Sequence, residues 1–328
     1  MNRPVLLLLA SLFALSAGGQ AAAQSSTAYP AKPVRIVVTL AAGGSSDIVT
    51  RLFAQKLADQ LKQPFLVENR PGANSIIGAG YVAKSAPDGY TLLSANTSIL
   101  TIHPTLYAKL PYDPQRDFAP IAMLVIQPTL LVVHPSVPAR SIKAFMALAK
   151  AEPGKFSYAT PGSGTPFHLS GELFNAQTGI GLVHVPYKGF QPATADLLAG
   201  RVQTSFATVL DALPHIKAGK LRPLVYTGSQ RHVLLPDVPT TSEAGIKNAE
   251  SVSFFALVAP GGTPREIITR LNAEVTRIKA QPDVRKRLIH EFGVEPGIDS
   301  LDQFEAFLRA EVVKWAKVVK ASGIKVQQ

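Results

Sequence analysis

The sequence predicts an α/β protein of two domains, each built on parallel strands. Short apolar runs rich in valine, isoleucine and leucine alternate with segments whose apolar residues recur at helical spacing. A strand, a glycine-serine loop and a helix follow one another twice, at 34–61 and at 156–177. Two long apolar segments, 118–135 and 253–260, flank the second copy and predict that the chain crosses twice between the domains.

The first 23 residues predict a signal peptide that is cleaved from the mature protein. Asn2 and Arg3 precede an apolar run at 5–17, and three alanines end at Ala23. The run is shorter than the roughly 20 apolar residues that a membrane-spanning helix needs. We therefore expect a periplasmic protein of 328 − 23 = 305 residues. The sequence has no cysteine, so no disulfides are expected.

The stretch at 34–61 predicts a strand, a loop and a helix. Gly43 and Gly44 let the loop turn sharply, and a Ser or Asp of the loop is expected to cap the helix. The free N–H groups of a first helical turn favour anions, so the loop is a candidate anion site. Taken alone, the stretch is equally compatible with a capped turn that binds nothing.

The alternation continues through the rest of the first domain. Strands are predicted at 65–67 and 90–93, with a helix at 76–84 between them. Asn96, Thr97 and Ser98 follow the second of these strands. Ligands of parallel α/β sheets lie beyond the carboxyl ends of the strands, so both 43–47 and 96–98 are candidate binding segments.

The inserted segment repeats the opening pattern. A strand at 156–160 leads into a Gly/Ser loop at 161–166, and helical apolar spacing follows to residue 177. Thr165 is a good N-cap and Pro166 suits the first helical position. His168, in the first turn, is predicted to be either a ligand-side donor or an ordinary helical histidine.

The two crossings set the predicted domain limits. The first domain would comprise 24–126 plus 252–328, and the second, inserted domain would comprise 127–251. Helices at 264–279 and 282–291, and a long helix capped by Ser300, complete the first domain. The apolar stripe of that long helix is typical of core contact.

The motifs argue against several kinds of chemistry. The loop at 43–47 begins like the nucleophile elbow G-x-S-x-G but carries Asp47 where glycine is required. The dinucleotide fingerprint fails at Phe167, where its third glycine would stand, and a phosphate-binding G-x-x-x-x-G-K-S/T sequence is absent. The seven histidines lack metal-site spacing. We therefore predict no catalytic residue, no cofactor and no metal.

The formal charge of +11 suits an acidic ligand, an anionic membrane surface or nucleic acid. The basic cluster at 285–287 lacks an aromatic platform, so it indicates a solvated helix face and no nucleic-acid partner. If the two domains close like a hinge, their helix starts would face each other. A small carboxylate could then be held at both ends by charge-assisted hydrogen bonds.

A series of motifs resembles the Bug family, the extracytoplasmic solute receptors of tripartite tricarboxylate transporters. The resemblance covers nearly the whole mature chain. It rests on Gly43-Gly44 with Asp47, VENRPGA at 67–73, PDGYTL at 87–92, LPYDP at 110–114, GSGT at 162–165 with His168, HVPYKG at 184–189, PHI at 214–216 and LPDVPT at 235–240.

The resemblance implies a two-domain Venus-flytrap fold of the periplasmic-binding-protein type II class. It also implies a mono-, di- or tricarboxylate ligand, integral membrane permease subunits as partners, no catalysis, and action as a monomer. Contacts at 96–98, 187–189 and Asp211 match the family's positions. The predicted ligand-binding residues are Gly43, Gly44, Ser45, Ser46, Asp47, Asn96, Thr97, Ser98, Thr160, Gly162, Ser163, Gly164, Thr165, His168, Tyr187, Lys188, Gly189 and Asp211.

Departures from the family pattern leave the ligand open. Ala41-Ala42 stand where prolines are usual, Asn74-Ser75 replace expected glycines, and Phe254-Phe255 occupy a segment that often carries tryptophan. The main alternative function is a ligand-binding co-receptor for a membrane sensor kinase. An enzyme ranks third.

Overall fold

The computed structural model describes residues 29–324. The predicted signal peptide at 1–23 lies outside the described residues. The chain begins with alternating strands and helices, as the apolar patterns predict, and then runs through one long strand. These elements are β1 (Val34–Val38), α1 (Ser45–Leu61), β2 (Phe65–Asn69), α2 (Ile76–Ala83), β3 (Thr91–Asn96), a π-helical turn (Ser98–Ile102) that continues into α3 (His103–Leu106), and β4 (Phe118–Pro128).

A second group of elements follows after a single connecting residue, Thr129. They are β5 (Leu130–Val133), α4 (Ile142–Ala151), β6 (Ser157–Thr160), α5 (Pro166–Thr178), β7 (Val183–Pro186), α6 (Phe190–Leu198), β8 (Thr204–Ala207), α7 (Val209–Lys217) and β9 (Arg222–Tyr226).

The final group returns to the first. It consists of β10 (Val252–Pro260), α8 (Arg265–Ala280), α9 (Pro282–Lys286), a π-helical turn (Arg287–Glu291), β11 (Glu295–Pro296) and α10 (Leu301–Ser322). No helix among residues 29–324 combines the length and the apolar character needed to cross a membrane.

The strands form two mixed sheets, and each sheet with its helices is called a lobe here. The first lobe has the strand order β11-β4-β10-β3-β1-β2, and the second has β7-β6-β8-β5-β9. Pairing is parallel among β1, β2 and β3 and among β6, β7 and β8. β10 and β5 run antiparallel to their neighbours because each enters its sheet from the other lobe. The predicted α/β fold with parallel pairing and two crossings is confirmed, and the crossing strands add antiparallel pairs to each sheet.

The two sheets meet at one polar junction. Thr129 joins β4 to β5, and Ser251 immediately precedes β10. The N–H of Thr129 donates to the hydroxyl of Thr227 over 2.8 Å, and the N–H of Thr227 donates to the Thr129 carbonyl over 2.9 Å. These residues are fully buried, so each hydrogen bond satisfies a group that water cannot reach.

The junction fixes which sheet edges face each other. Leu130 pairs with Ala207, the last residue of β8, and Pro128 pairs with Val252. The carboxyl ends of the parallel strands in both lobes therefore lie at this junction. The domain limits 126/127 and 251/252 stay a prediction. The chain passes from the first sheet to the second at Thr129 and returns after Ser251.

Helix α10 contacts both lobes. Ser300 caps it, as predicted, by accepting a hydrogen bond from the Gln303 N–H over 3.4 Å. Phe304 packs in the core of the first lobe. One further cluster joins the end of α10 to α3 and α5, and its buried members are Ile102, Leu106, Leu169, Leu173, Trp315, Val318 and Val319.

Candidate functional site

Helices of both lobes begin at the sheet edges that meet at the junction, and we call the space bounded by these edges the cleft. Helices α1 and α2 begin after β1 and β2, and α5, α6 and α7 begin after β6, β7 and β8. All five start at the sheet edges that meet at the junction. Because the first N–H groups of a helix have no intrahelical acceptor and carry the positive end of its dipole, the cleft favours anions.

The loop before α1 offers backbone donors. The first i to i−4 bond of α1 runs from the Ile48 N–H to the Gly44 carbonyl over 3.0 Å, so the N–H groups of Ser45 and Ser46 precede the helical ladder. Gly43, with φ +80°, and Gly44 are exposed. The expected Ser or Asp cap is wrong, because Gly44 occupies the N-cap and no side chain caps the helix.

Asp47 holds this loop in place. One carboxylate oxygen accepts from the Gly43 N–H over 2.9 Å, and the other accepts from the Asn69 amide over 3.0 Å. Arg51 donates to the same carboxylate over 3.0 Å. Burial alone would raise the pKa of Asp47, but the hydrogen bonds from Arg51, Gly43 and Asn69 outweigh it and lower that pKa. The geometry favours a positioning role for Asp47, and ligand contact stays a prediction.

The loop between β2 and α2 is strained, and none of its residues is among the predicted ligand-binding residues. Gly72, Ala73, Asn74 and Ser75 all have positive φ, at 130°, 45°, 50° and 75°. Left-handed backbone at residues other than glycine is costly and occurs most often at functional sites. The one sign of this strain in the sequence is that Asn74 and Ser75 stand where the family pattern expects glycines.

A buried histidine supports the strained loop. The Asn74 amide lies 3.3 Å from His103 Nε2, and His103 Nδ1 pairs with the Tyr112 hydroxyl over 2.8 Å. His103 is fully buried, and this burial lowers its pKa to about 4. The ring is therefore neutral near pH 7 and can accept the hydrogen bond from Asn74.

The side chains of Asn96 and Thr97, in the segment where β3 ends, form hydrogen bonds within the first lobe. The Asn96 amide donates to the Ser75 hydroxyl over 3.1 Å and accepts from the Ile99 N–H over 3.1 Å. The Thr97 hydroxyl accepts from the Phe254 N–H over 2.8 Å. Thr97 and Ser98 are buried. The side chains of Asn96 and Thr97 tie together the strands and loops behind the cleft, and contact of 96–98 with a ligand stays a prediction.

The second-lobe loop, 160–165, has the predicted helix start. Thr165 caps α5 by accepting from the His168 N–H over 3.4 Å, and Pro166 is the first helical residue. The Thr165 hydroxyl also donates to the Gly162 carbonyl over 2.8 Å. Gly162 and Gly164 have φ of +151° and +73°, which glycine adopts without a Cβ clash. Ser163 is exposed at the tip of the loop.

His168 faces its own loop. Its Nδ1 accepts from the Gly164 N–H over 3.0 Å, and its Nε2 lies 3.8 Å from a Glu172 oxygen. The Nδ1 atom is therefore engaged inside the second lobe, whereas Nε2 is too far from Glu172 for a hydrogen bond. The bond from Gly164 is what a first-turn histidine that supports its own loop would make, and ligand contact by His168 stays a prediction.

The remaining predicted residues lie along the same edge. Tyr187 and Gly189 donate their N–H groups to the carbonyls of Thr160 and Pro161, each over 3.0 Å. Lys188 between them is exposed, and it forms no ion pair with any other residue of 29–324. Contact of Lys188 with a ligand stays a prediction.

Asp211 lies in the first turn of α7. The Thr208 hydroxyl donates to its carboxylate over 2.6 Å, and its own N–H donates back to that hydroxyl over 3.1 Å. Burial raises the pKa of Asp211, although the Thr208 hydrogen bond and His215 oppose this rise. Within 29–324, no three His, Asp or Glu side chains are grouped as a metal site requires.

The chain is similar to known proteins over most of its length. Residues 49–324 match the family described as "Tripartite tricarboxylate transporter family receptor". The protein BugT of Bordetella pertussis is 37% identical over 328 residues, which is 100% of both chains.

Two solved structures with named ligands are also similar. R. palustris Rpa4515 with adipate has a TM-score of 0.81 and 36% identity, over 90% of this chain and 99% of that chain. MatC (Rpa3494) from Rhodopseudomonas palustris with bound malate has a TM-score of 0.77 and 32% identity, over 89% of this chain and 100% of that chain. Adipate and malate both carry two carboxylates.

The buried His103 predicts a pH-dependent stability. The unfolded chain protonates this ring near pH 6.5, whereas the folded protein resists protonation down to about pH 4. The free energy of unfolding should therefore fall as the pH drops through this window, by about 1.4 kcal/mol per pH unit for this one group. The free energy of unfolding of His103→Gln, obtained from urea denaturation at several pH values, should change with pH less steeply than that of the wild type, by about that amount. A pH dependence in His103→Gln equal to that of the wild type would contradict the assignment.

Proposed function

Because the chain belongs to the tripartite tricarboxylate transporter receptor family, we propose that it holds a small carboxylate ligand between the two lobes at the loops 43–47 and 160–165. The chain is a solute-binding receptor and not an enzyme. The convergence of helix N-termini from both lobes on the cleft carries the proposal for the site.

The ligand charge is met mainly by the backbone. Arg51 is already paired with Asp47, so this guanidinium is not free to neutralise a ligand. The N–H groups of Ser45 and Ser46 at the start of α1 remain, as do those of Ser163 and Thr165 in the second-lobe loop, because the N–H groups of Gly162 and Gly164 already donate within their lobe. The exposed Lys188 adds a side chain to these donors. Hydrogen bonds to a charged group are stronger than neutral ones, so a few well-placed N–H groups suffice for one carboxylate.

The second lobe supplies the other half of the site. Its loop carries two glycines with positive φ, so the backbone rather than a Cβ can approach the ligand. Closure of the lobes about the junction would bring 43–47 and 160–165 toward the same molecule. A ligand with a carboxylate at each end, such as the adipate and malate of the relatives, fits this arrangement.

Delivery to a transporter completes the proposal. We propose that the leader at 1–23 exports the chain to the periplasm and is then removed. As a monomer, the receptor would carry its ligand to integral membrane permease subunits. The family description, which names a transporter receptor, and the leader pattern in the sequence support this role.

The substitution Ser45→Pro tests the first backbone donor. Proline lacks an N–H and is tolerated at the first position of a helix, which Ser45 occupies. Gly44 has the extended conformation that a residue before proline prefers. The affinity for adipate or malate in isothermal calorimetry should fall about tenfold or more, with an unchanged unfolding temperature.

Ser45→Ala is the matched control, because it removes the hydroxyl and keeps the N–H. It should bind like the wild type. If Ser45→Ala loses as much affinity as Ser45→Pro, the hydroxyl and not the backbone contacts the ligand. If the proline variant binds normally, this N–H is outside the site.

The substitution Gly162→Val tests the second loop. A Cβ at Gly162 would find ordinary contacts, with the Tyr187 carbonyl oxygen 3.5 Å away, so the strain comes from its φ of +151°. Affinity for the same dicarboxylates should fall as the loop shifts. Gly154→Val, at φ +76° with open space around it and outside the cleft loops, should lower stability without changing affinity. Equal losses of affinity in both variants would argue against a local role for the loop.

Deleting the gene tests delivery. Uptake of a radiolabelled ligand identified by calorimetry should fall to background in the deletion strain and return when the wild-type gene is supplied. Normal uptake combined with loss of a transcriptional response to the ligand would instead favour a sensor-kinase co-receptor.

A further inference from the structure

A cluster of polar side chains lies directly behind the second-lobe loop. Its members come from three elements: Tyr158 on β6, His168 and Glu172 on α5, and His184 on β7. The rings of His168 and His184 stack with their centroids 3.6 Å apart and their planes at 12°. The Tyr158 hydroxyl donates to Glu172 over 2.6 Å. We call these four residues the histidine cluster.

We propose that His168 is a positioning residue, which sets the ligand-binding conformation of the loop 160–165 by accepting a hydrogen bond from Gly164 while His184 holds its ring. The proposal rests on the proposed function in one respect, namely that this loop contacts the ligand. In this proposal the His168 side chain does not contact the ligand. It orients the loop backbone, and the backbone contacts the ligand.

The hydrogen-bond partner fixes the state of the His168 ring. A backbone N–H can only donate, so the Nδ1 atom 3.0 Å from the Gly164 nitrogen must carry a lone pair. The proton of the neutral ring therefore resides on Nε2, on the side of Glu172. A proton on Nδ1 would place two N–H donors against each other and break the hydrogen bond. Gly164, whose φ is +73°, would then lose the contact that restrains it.

The surroundings keep the ring neutral. His168 is 5% exposed, and its burial, together with the neighbouring His184, lowers its pKa to about 3. Glu172 is the one carboxylate of the histidine cluster, and its nearer oxygen is 3.8 Å from His168 Nε2 while it accepts from Tyr158. Nδ1 therefore keeps its lone pair for Gly164 at neutral and mildly acidic pH.

The stacked partner reaches the other end of the loop. His184 Nε2 pairs with the Thr160 hydroxyl over 2.7 Å. That hydroxyl oxygen also accepts from the Gly162 N–H over 3.3 Å. The two stacked rings thus contact the loop near both ends, at Thr160 and at Gly164, and fix the distance between them.

Side-chain ¹⁵N NMR of the uniformly labelled mature chain tests the ring state without any ligand. His168 should show the Nε2–H tautomer at pH 7, with a hydrogen-bonded, unprotonated Nδ1, and should not titrate down to pH 5. An Nδ1–H tautomer, or titration near the ordinary pKa of 6.5, would overturn the proposal.

Two variants separate the acceptor from the ring. His168→Asn keeps an acceptor near the position of Nδ1, and His168→Leu keeps similar bulk without one, while both lose the stack with His184. Amide hydrogen exchange of peptide 160–167 should accelerate about tenfold in His168→Leu and stay close to wild type in His168→Asn, as one hydrogen bond implies. Equal exchange in the two variants would overturn the proposal.

Calorimetry with adipate and malate then links the loop to binding. His168→Leu should bind about tenfold more weakly than His168→Asn. If neither ligand binds the wild type although the tautomer and the exchange rates are as expected, the proposed function fails and the positioning role stands. If His168→Leu does not fold, the tautomer of the wild-type ring decides.

Discussion

The one-residue connection at Thr129, fastened by its hydrogen bonds with Thr227, fixes how the two sheets meet. One residue connects β4 to β5, so the second sheet must start where the first one ends. That connection brings together the carboxyl ends of two sets of parallel strands and, with them, the N-termini of the helices that follow. The anion-binding character of the cleft is therefore a consequence of chain connectivity more than of any one side chain.

Polar side chains near the cleft serve mainly to hold its loops. Asp47 accepts from Gly43, His168 accepts from Gly164, and Asn74 is held by His103. Each contact restrains a residue with positive φ, which would otherwise relax and withdraw its backbone from the cleft. The recognition surface is thus backbone, and the side chains behind it determine its shape. Such an arrangement identifies a carboxylate while leaving open what the carboxylate is attached to.

The sequence predicted what local chemistry determines. Alternating apolar patterns located most strands and helices, and the preferences of Thr165, Pro166 and Ser300 located two helix starts. Contacts between residues distant in the chain were not predictable in this way. The pairing of Asn74 with His103 depends on how α3 packs, and the apolar stripe of α10 gives no sign that it meets two lobes. The strain at Ala73 was also hidden, because left-handed backbone at alanine has no local signature, whereas the replacement of expected glycines by Asn74 and Ser75 was a signal.

Helix α10 gives the receptor an optical property of its own. Trp315, the single tryptophan of the sequence, is fully buried where the end of α10 meets α3 of the first lobe and α5 of the second. Any hinge motion that draws Leu169 and Leu173 away from α10 changes the polarity around the indole ring. The tryptophan emission of the unlabelled protein therefore comes entirely from the contact between the lobes, and with excitation that spares tyrosine it reports opening and closing in solution without a dye or an engineered residue.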